Sequence, residues 1–441
     1  MSVQLMWCKN TVLLFLFLGI SCGMANKVED KTKSTEVASQ SDSTNVVLDN
    51  AINIKRIIVG ANQTEAYLPL LQGKRVGVVA NQTSMISKTE DGRKNFATHF
   101  NPETKVTITH FTHLVDSLKA LNVDIKKVFS PEHGFRGNID AGELVKDGLD
   151  TKTGLPIVSL YGKNKKPSIE QLKGIDIVIF DIQDVGVRFY TYISTLHYLM
   201  EACAENNISV IVLDRPNPNG NYIDGPTMEA EHTSFLGMHT IPLVHGLTIG
   251  EYATMINGEK WLKNNITCDL TIIKLKNYTH DMAYSLPQRP SPNLPNDQSI
   301  KLYPSLGLFE GTTINAGRGT EFQFQRYGAP TLDSTVLNFT YTPKENFGTK
   351  FPKHKNKLCY GEDLSNIKTK DSISLKYIIK AYDNSTTKEA FFITGSFTKH
   401  AGTAKLQQQI INGWDETKIK VTWKGDLDNF KVIRSKYLLY N

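Results

Sequence analysis

The feature that most constrains this chain is a series of short, unbroken apolar runs, each stopping in a cluster of polar residues. Arg75-Val-Gly-Val-Val-Ala80 runs into Asn81-Gln-Thr83, and Val128-Phe-Ser130 into Pro131-Glu-His-Gly-Phe-Arg-Gly137. Ile175-Asp-Ile-Val-Ile-Phe180 runs into Asp181-Ile-Gln-Asp184, followed by Gly186, Arg188, Tyr190 and Tyr192. Ser209-Val-Ile-Val-Leu213 runs into Asp214-Arg-Pro-Asn217, and Pro156-Ile-Val-Ser-Leu160 is a further short run. Runs of this length, rich in β-branched residues and lacking alternation, read as strands covered on both faces. The stretches 112–121 and 191–206 read as helices between them. The stretch 248–263 reads as another, opened by Thr248 and Glu251 at capping-box spacing. Continuous strands alternating with helices predict an α/β fold built on a parallel sheet.

The remainder of the chain divides around that region. Pro287-Gln-Arg-Pro-Ser-Pro-Asn-Leu-Pro295 cannot be regular structure, because proline removes donors and fixes φ. It reads as a connector, with a first domain over 51–285 and a second over 286–441. In the second, Gly-rich loops precede alternating runs such as Ser372-Ile-Ser-Leu-Lys376 and Lys418-Ile-Lys-Val-Thr-Trp423, which read as part of a smaller, mixed α+β domain. At the other end, Lys9 precedes the apolar run from Thr11 to Ile20, too short for the ~20 residues a membrane span needs. Ser21-Cys22-Gly23 follows, so residues 1–22 read as an export signal of lipoprotein type with Cys22 as the lipidated residue. Plain secretion, with cleavage near Gly23-Met-Ala25, is the alternative. Residues 23–50 have no aromatic residue and many charges, and read as a disordered tether. The expected location is therefore the periplasm or the outer membrane of a bacterium, with the membrane reached only through the lipid. Cys8 and Cys22 belong to the signal, whereas Cys203, Cys268 and Cys359 are isolated and read as buried apolar residues.

In an open parallel sheet, ligands bind beyond the carboxyl ends of the strands, and the polar clusters fall there. A shared cleft would contain carboxylates, Arg, Asn and Tyr. Each residue also has a structural reading: Glu132 at a helix N-terminus, Asp181 and Asp184 paired with Arg188 and Arg215, Asp214 in an Asx-turn, and His133 packed in place. No strand is followed by GxGxxG, Walker A and HExxH patterns do not occur, and there is no GxSxG nucleophile elbow. The toolkit predicts acid/base work on a sugar, or binding of a polar anion, without cofactor or metal.

Several longer motifs resemble the exo-β-N-acetylmuramidases of the NamZ type, a family formerly catalogued as a domain of unknown function. They are Ser130-Pro-Glu-His-Gly-Phe-Arg-Gly137, Asp181-Ile-Gln-Asp-Val-Gly-Val-Arg-Phe-Tyr-Thr-Tyr192 and Asp214-Arg-Pro-Asn-Pro-Asn-Gly220. His245-Gly-Leu-Thr-Ile-Gly-Glu251, Pro290-Ser-Pro-Asn-Leu-Pro295 and Gly317-Arg-Gly-Thr320 continue the series to cover the chain from about residue 70. Phe322-Gln-Phe324 departs from the family pattern, which has a Pro-Phe pair there. The resemblance implies a Rossmann-like first domain, a smaller second domain and a cleft between them. It also implies release of N-acetylmuramic acid from the non-reducing end of peptidoglycan fragments, muropeptides or disaccharides, with Glu132 as the catalytic carboxylate.

On that basis Glu132 is expected to act as general acid, tuned by His133. Asp184, Asp214 or Glu310 would be the second carboxyl group that glycoside hydrolysis requires. Arg188, Arg215 and Arg318 are candidates for the lactyl carboxylate, Tyr190 and Tyr192 for the sugar ring, and Asn81, Arg136 and Asn217 for further substrate contacts. A non-catalytic wall-binding lipoprotein and a wall-peptide amidase or esterase are the rival readings. Charge adds one division: the formal net charge is +6, but residues 344–441 carry +8 and the rest −2. That pattern lacks the dense basic face of a nucleic-acid binder. It reads as a Lys-rich solvated surface or as a means of steering anionic fragments.

Overall fold

The computed structural model describes residues 56–89, 108–137 and 147–440; the stretches read as export signal and tether, Cys22 included, lie outside them. In chain order the strands are β1 (Val76–Ala80), β2 (Met85–Thr89), β3 (Ile108–His113), β4 (Ile125–Ser130), β5 (Gly148–Leu149), β6 (Pro156–Ser159), β7 (Ile177–Asp181), β8 (Ser209–Leu213), β9 (Asp224–Thr227), β10 (Pro242–Val244), β11 (Leu270–Ile273), β12 (Arg326–Ala329), β13 (Phe339–Tyr341) and β14 (Cys359–Asp363). The helices are α1 (Thr64–Leu71), α2 (Leu114–Ala120), α3 (Ile169–Leu172), α4 (Tyr192–Glu205), α5 (Ile249–Gly258), α6 (Asp297–Leu306), α7 (Lys376–Asp383), α8 (Thr394–Ala401), α9 (Lys405–Ile411), α10 (Glu416–Val421) and α11 (Lys424–Ser435).

The apolar runs form a seven-stranded sheet in the order β11-β8-β7-β1-β4-β6-β5, parallel except for the short edge strand β5. Val78 of β1 lies between Val128 of β4 and Ile179 of β7, so the central strands are in register where they are most apolar. Alternate residues of each strand enter two separate cores. Val79, Phe129, Phe180 and Val212 pack on one face with α4 and α5, and Val78, Val128, Ile179 and Ile211 on the other with α1 and α2. Both faces are covered, which is why these strands carry no polar alternation. The capping box at Thr248 and Glu251 forms as spaced and starts α5.

After the proline-rich connector, β12, β14 and β13 make a small antiparallel sheet beside α7 to α11. The first core runs on through Phe309, Tyr327, Phe397, Ile419 and Phe430 without a break. The alternation at 418–423 does not become a strand. Most of it lies in α10, because Ile419 and Trp423, four apart, are the buried residues while Val421 is 68% exposed. Four-residue spacing of the large apolar groups defines a helical face and outweighs the two-residue pattern. Residues 372–376 form no ladder either: Ile373 N–H donates to Asp224 at 2.8 Å, and α7 begins at Lys376.

The chain's last residues return to the first sheet. The Tyr440 hydroxyl donates to Asp214 at 2.5 Å and accepts Leu275 N–H at 2.9 Å, while Leu439 N–H donates to Glu251 at 2.8 Å. Cys203, Cys268 and Cys359 are buried free thiols. Among the described residues no helix is long and apolar enough to cross a membrane.

Candidate active site

A cavity of about 240 Å³ opens where the loop after β4 meets the segment joining α6 to β12. Glu132 and His133 enter from the first side, Glu310 and Arg318 from the second. Glu132, Glu310 and Arg318 also line an adjoining recess of about 350 Å³ with Lys353 and Phe351. Glu132 and Glu310 are the acidic groups lining either space.

The path by which Glu132 reaches the cavity is local. β4 ends at Ser130, and His133 and Gly134 then adopt φ of 70° and 78°, turning the chain off the strand axis. A left-handed histidine costs on the order of 1 kcal/mol or more, strain typical of functional loops. The Tyr161 hydroxyl, just past β6, donates to Glu132 Oε1 at 2.9 Å. Burial and the adjacent Glu132 push the Tyr161 phenol well above its usual pKa, so it remains a donor.

Glu310 sits on a short 3-10 turn, Gly307–Gly311, held against α8. Gly311 is required there, because a Cβ would stand 2.3 Å from Phe397 Cα. The Lys353 ammonium fixes the same turn by donating to the carbonyls of Phe309 and Thr312, at 2.8 and 2.6 Å. Arg318 Nε donates to Glu310 Oε1 at 3.1 Å. Burial alone would raise the Glu310 carboxyl, but Arg318, Lys353 and His400 outweigh it and hold its pKa below the usual value. Glu310 is therefore ionised at neutral pH.

The walls are aromatic. Tyr190 and Tyr192 meet edge-to-face at 4.9 Å, and Tyr303 and Phe324 at 4.8 Å; Phe189 and Phe235 also line the space. Tyr190 OH donates to Pro290 O at 2.6 Å, and Tyr192 OH accepts from Asn81 at 2.8 Å. The departure at Phe322-Gln-Phe324 forms part of this wall: Phe324 has φ of 53° and lies 5.3 Å from the Arg318 guanidinium.

The other polar residues at the strand ends do not reach the cavity. Asp181 and Arg215 form a buried bidentate pair at 2.7 and 2.9 Å. Asp214 accepts from Thr248, Gly250 and Tyr440, tying α5 and the chain end to β8. Burial, partly offset by these donors, raises its pKa to about 6. Asp184 accepts Gly186 N–H at 2.7 Å, and burial raises it to about 7. Among the described residues Arg188 pairs with no carboxylate; it donates to the carbonyls of Pro226, Ile241, His400 and Ala401. Arg136 bridges Asp116 and Asp150, and Asn217 spans from Leu247 O to Asn219 N–H. The strand ends do converge, but most of their polar groups satisfy one another in closing the loops. Tyr161, Tyr303, Lys353 and His400 were not read from the sequence. Tyr161 carries the strand-end signal, whereas the others come from loops and helices without a motif.

Comparison with known proteins gives a consistent picture. The family model for the N-terminal part of exo-β-N-acetylmuramidase NamZ matches residues 76–298, and that for its C-terminal part matches 301–440. The chain is 40% identical over 397 residues to the peptidoglycan β-N-acetylmuramidase NamZ of Bacillus subtilis (strain 168), covering 85% of this chain and 89% of that protein. Crystal structures of two DUF1343 family proteins from Bacteroides fragilis superpose with TM-scores of 0.76 and 0.72. They share 43% and 29% identity with this chain, covering 88% of it and 99% of each of them.

Proposed function

The chain belongs to the NamZ exo-β-N-acetylmuramidase family, and from that premise we propose how its cleft releases N-acetylmuramic acid from the non-reducing end of peptidoglycan fragments. The observation that carries the mechanism is the pair Glu132 and Glu310, two carboxyl groups lining one cavity in unlike surroundings. Glycoside hydrolysis needs an acid for the leaving oxygen and a second carboxylate acting on the anomeric carbon or on water. Glu310, held ionised by Arg318 and Lys353, takes the second role. Glu132 takes the first, fixed in direction by the Tyr161 hydroxyl and by the turn at His133.

The same geometry ranks the guanidinium groups. Arg188 and Arg215 are committed to buried structural bonds, whereas Arg318 lines the cavity, which supports it as the partner of the lactyl carboxylate. The aromatic walls suit the apolar face of a pyranose ring. Replacing Glu132 by Gln keeps the volume and removes the proton. Hydrolysis of a muramic-acid glycoside is expected to fall at least ~100-fold, and near-normal turnover would remove Glu132 from the mechanism. Mass spectrometry of peptidoglycan digests reads the product: free muramic acid supports this function, and released peptide supports an amidase. We further infer export with lipidation at Cys22, supported by the apolar run from Thr11 to Ile20 and the Ser21-Cys22-Gly23 that follows. Unchanged fatty-acid labelling in Cys22→Ser cells would count against lipidation.

A further inference from the structure

Two polar groups lining the cavity take no part in the acid/base pair. Both come from the second domain, and they flank one aromatic ring. The Phe189 ring meets Tyr303 of α6 edge-on at 5.1 Å and His400 of α8 at 5.5 Å. All three line the cavity. Phe189 is seated against Gly307, where a Cβ would stand 2.4 Å from its Cζ.

His400 is fixed through its backbone and its ring. Its carbonyl accepts from Arg188 Nη2 at 3.1 Å, and the Ala401 carbonyl accepts from the same nitrogen at 2.7 Å. Arg188 and Phe189 are adjacent in sequence, so one stretch of the first domain both anchors the end of α8 and packs on the ring that α8 presents. Within α8, His400 Nδ1 bonds Ser396 O at 2.8 Å. A carbonyl can only accept, so Nδ1 carries the proton. Burial outweighs that bond and Glu310 and lowers the His400 pKa, so the ring is neutral at neutral pH. Nε2 is then a lone-pair acceptor, and among the described residues nothing donates to it. The Tyr303 hydroxyl likewise has no hydrogen-bond partner among the described residues, and burial keeps it protonated. The wall thus offers an acceptor, a donor and an apolar face between them.

Those three features match the N–H, the carbonyl and the methyl of an acetamido group. Position selects the same group. His400 and Arg318 are both close enough to Glu310 to shift its carboxyl, so the acceptor lies beside the carboxylate that works at the anomeric carbon. The acetamido group sits on C2, next to that carbon, whereas the hydroxyls on C4 and C6 lie across the ring. The lactyl group on C3 comes next, as the proposed contact with Arg318 requires.

Building on the glycosidase function proposed above, we propose that His400 and Tyr303 are the specificity-determining residues for the acetamido group of N-acetylmuramic acid. The amide N–H donates to His400 Nε2, the amide carbonyl accepts from the Tyr303 hydroxyl, and the methyl packs on Phe189. A sugar without the amide would leave both protein groups unpaired in a closed space, which is the way a site rejects a near-isostere.

The test compares two aryl glycosides on the full chain: one of N-acetylmuramic acid, and its 2-deoxy analogue, which keeps the lactyl group and lacks the amide. His400→Phe keeps a flat ring and removes the acceptor. Relative to wild type, it should lower kcat/KM at least ~10-fold on the first glycoside and less than ~2-fold on the second. Tyr303→Phe removes one oxygen and leaves the packing, and should show the same selectivity at about fivefold. The readout is the ratio of the two losses, so partial destabilisation of a variant cancels. Equal losses on the two glycosides, or no loss on the first, would overturn the assignment while leaving the glycosidase function standing. Failure of the wild type to release muramic acid from the first glycoside would remove that function, and the assignment with it.

Discussion

Asp184→Asn discriminates a buried structural carboxyl from a catalytic one, and its effect can be worked out from the surroundings. Asp184 is almost wholly buried; one oxygen accepts Gly186 N–H, and the nearest basic group is His245, 3.9 Å away. Burial, with Arg434 and Arg188 nearby, lowers His245 to about 3, so it is neutral and offers no counter-charge. The carboxyl consequently titrates near 7 in the folded chain and near 3.8 when unfolded. Between those values the folded chain keeps a proton that the unfolded chain has released. Stability therefore falls as pH rises from about 4 to about 7, then levels off. Three pH units at about 1.4 kcal/mol each make the whole effect about 4 kcal/mol. Asn does not titrate, so the stability of Asp184→Asn relative to wild type should climb by about that amount between pH 4 and pH 8, whatever constant offset the amide introduces. Urea unfolding of both proteins at pH 4.5, 6 and 8 measures the difference directly. A gap that does not change with pH would refute the reasoning, and a gap that closes would mean that Asp184 has an ionic partner. Hydrolysis should survive the substitution; a hundredfold loss in a folded variant would place Asp184 in the chemistry.

Three further outcomes follow from the site. Tyr161→Phe removes the hydroxyl that holds Glu132 and should lower kcat about tenfold with little change in KM; an unchanged kcat would mean the bond does not orient the acid. Arg318→Ala should raise KM for substrates bearing the lactyl carboxylate and also lower kcat by freeing Glu310, while Arg318→Lys restores part of kcat; identical losses in both would contradict a charge role. Arg215→Met leaves Asp181 buried and unpaired and should cost about 3–5 kcal/mol in urea unfolding, with part recovered in the double variant Asp181→Asn/Arg215→Met.

The sheet was legible because buried parallel strands carry an unmistakable composition. Ser209–Leu213 falls where the run predicts, and the Ile175 run starts its ladder two residues late, at Ile177. The helix at 416–421 was not, since a short stretch satisfied periods of two and four at once and only packing of Ile419 and Trp423 decides between them. At the site, the positions of Glu132 and His133 follow from a strand end. The commitment of Asp214 to Thr248 and Tyr440 does not, because a carboxylate that closes loops and one that faces substrate look alike in a sequence. Nor could spacing bring Glu310 to Glu132 from so far along the chain. That meeting depends on Gly311 seating its turn against Phe397 and on Lys353 gathering the carbonyls of that turn.

The return of Leu439 and Tyr440 to the first sheet has a consequence for how the protein can be divided. Asp214 follows β8 and Glu251 lies in the first turn of α5, yet each draws one of its hydrogen bonds from Leu439 or Tyr440. Excising the first domain would thus take one donor from each of two buried carboxylates. During synthesis the sheet therefore lacks one donor at each of two carboxylates until Leu439 and Tyr440 have left the ribosome.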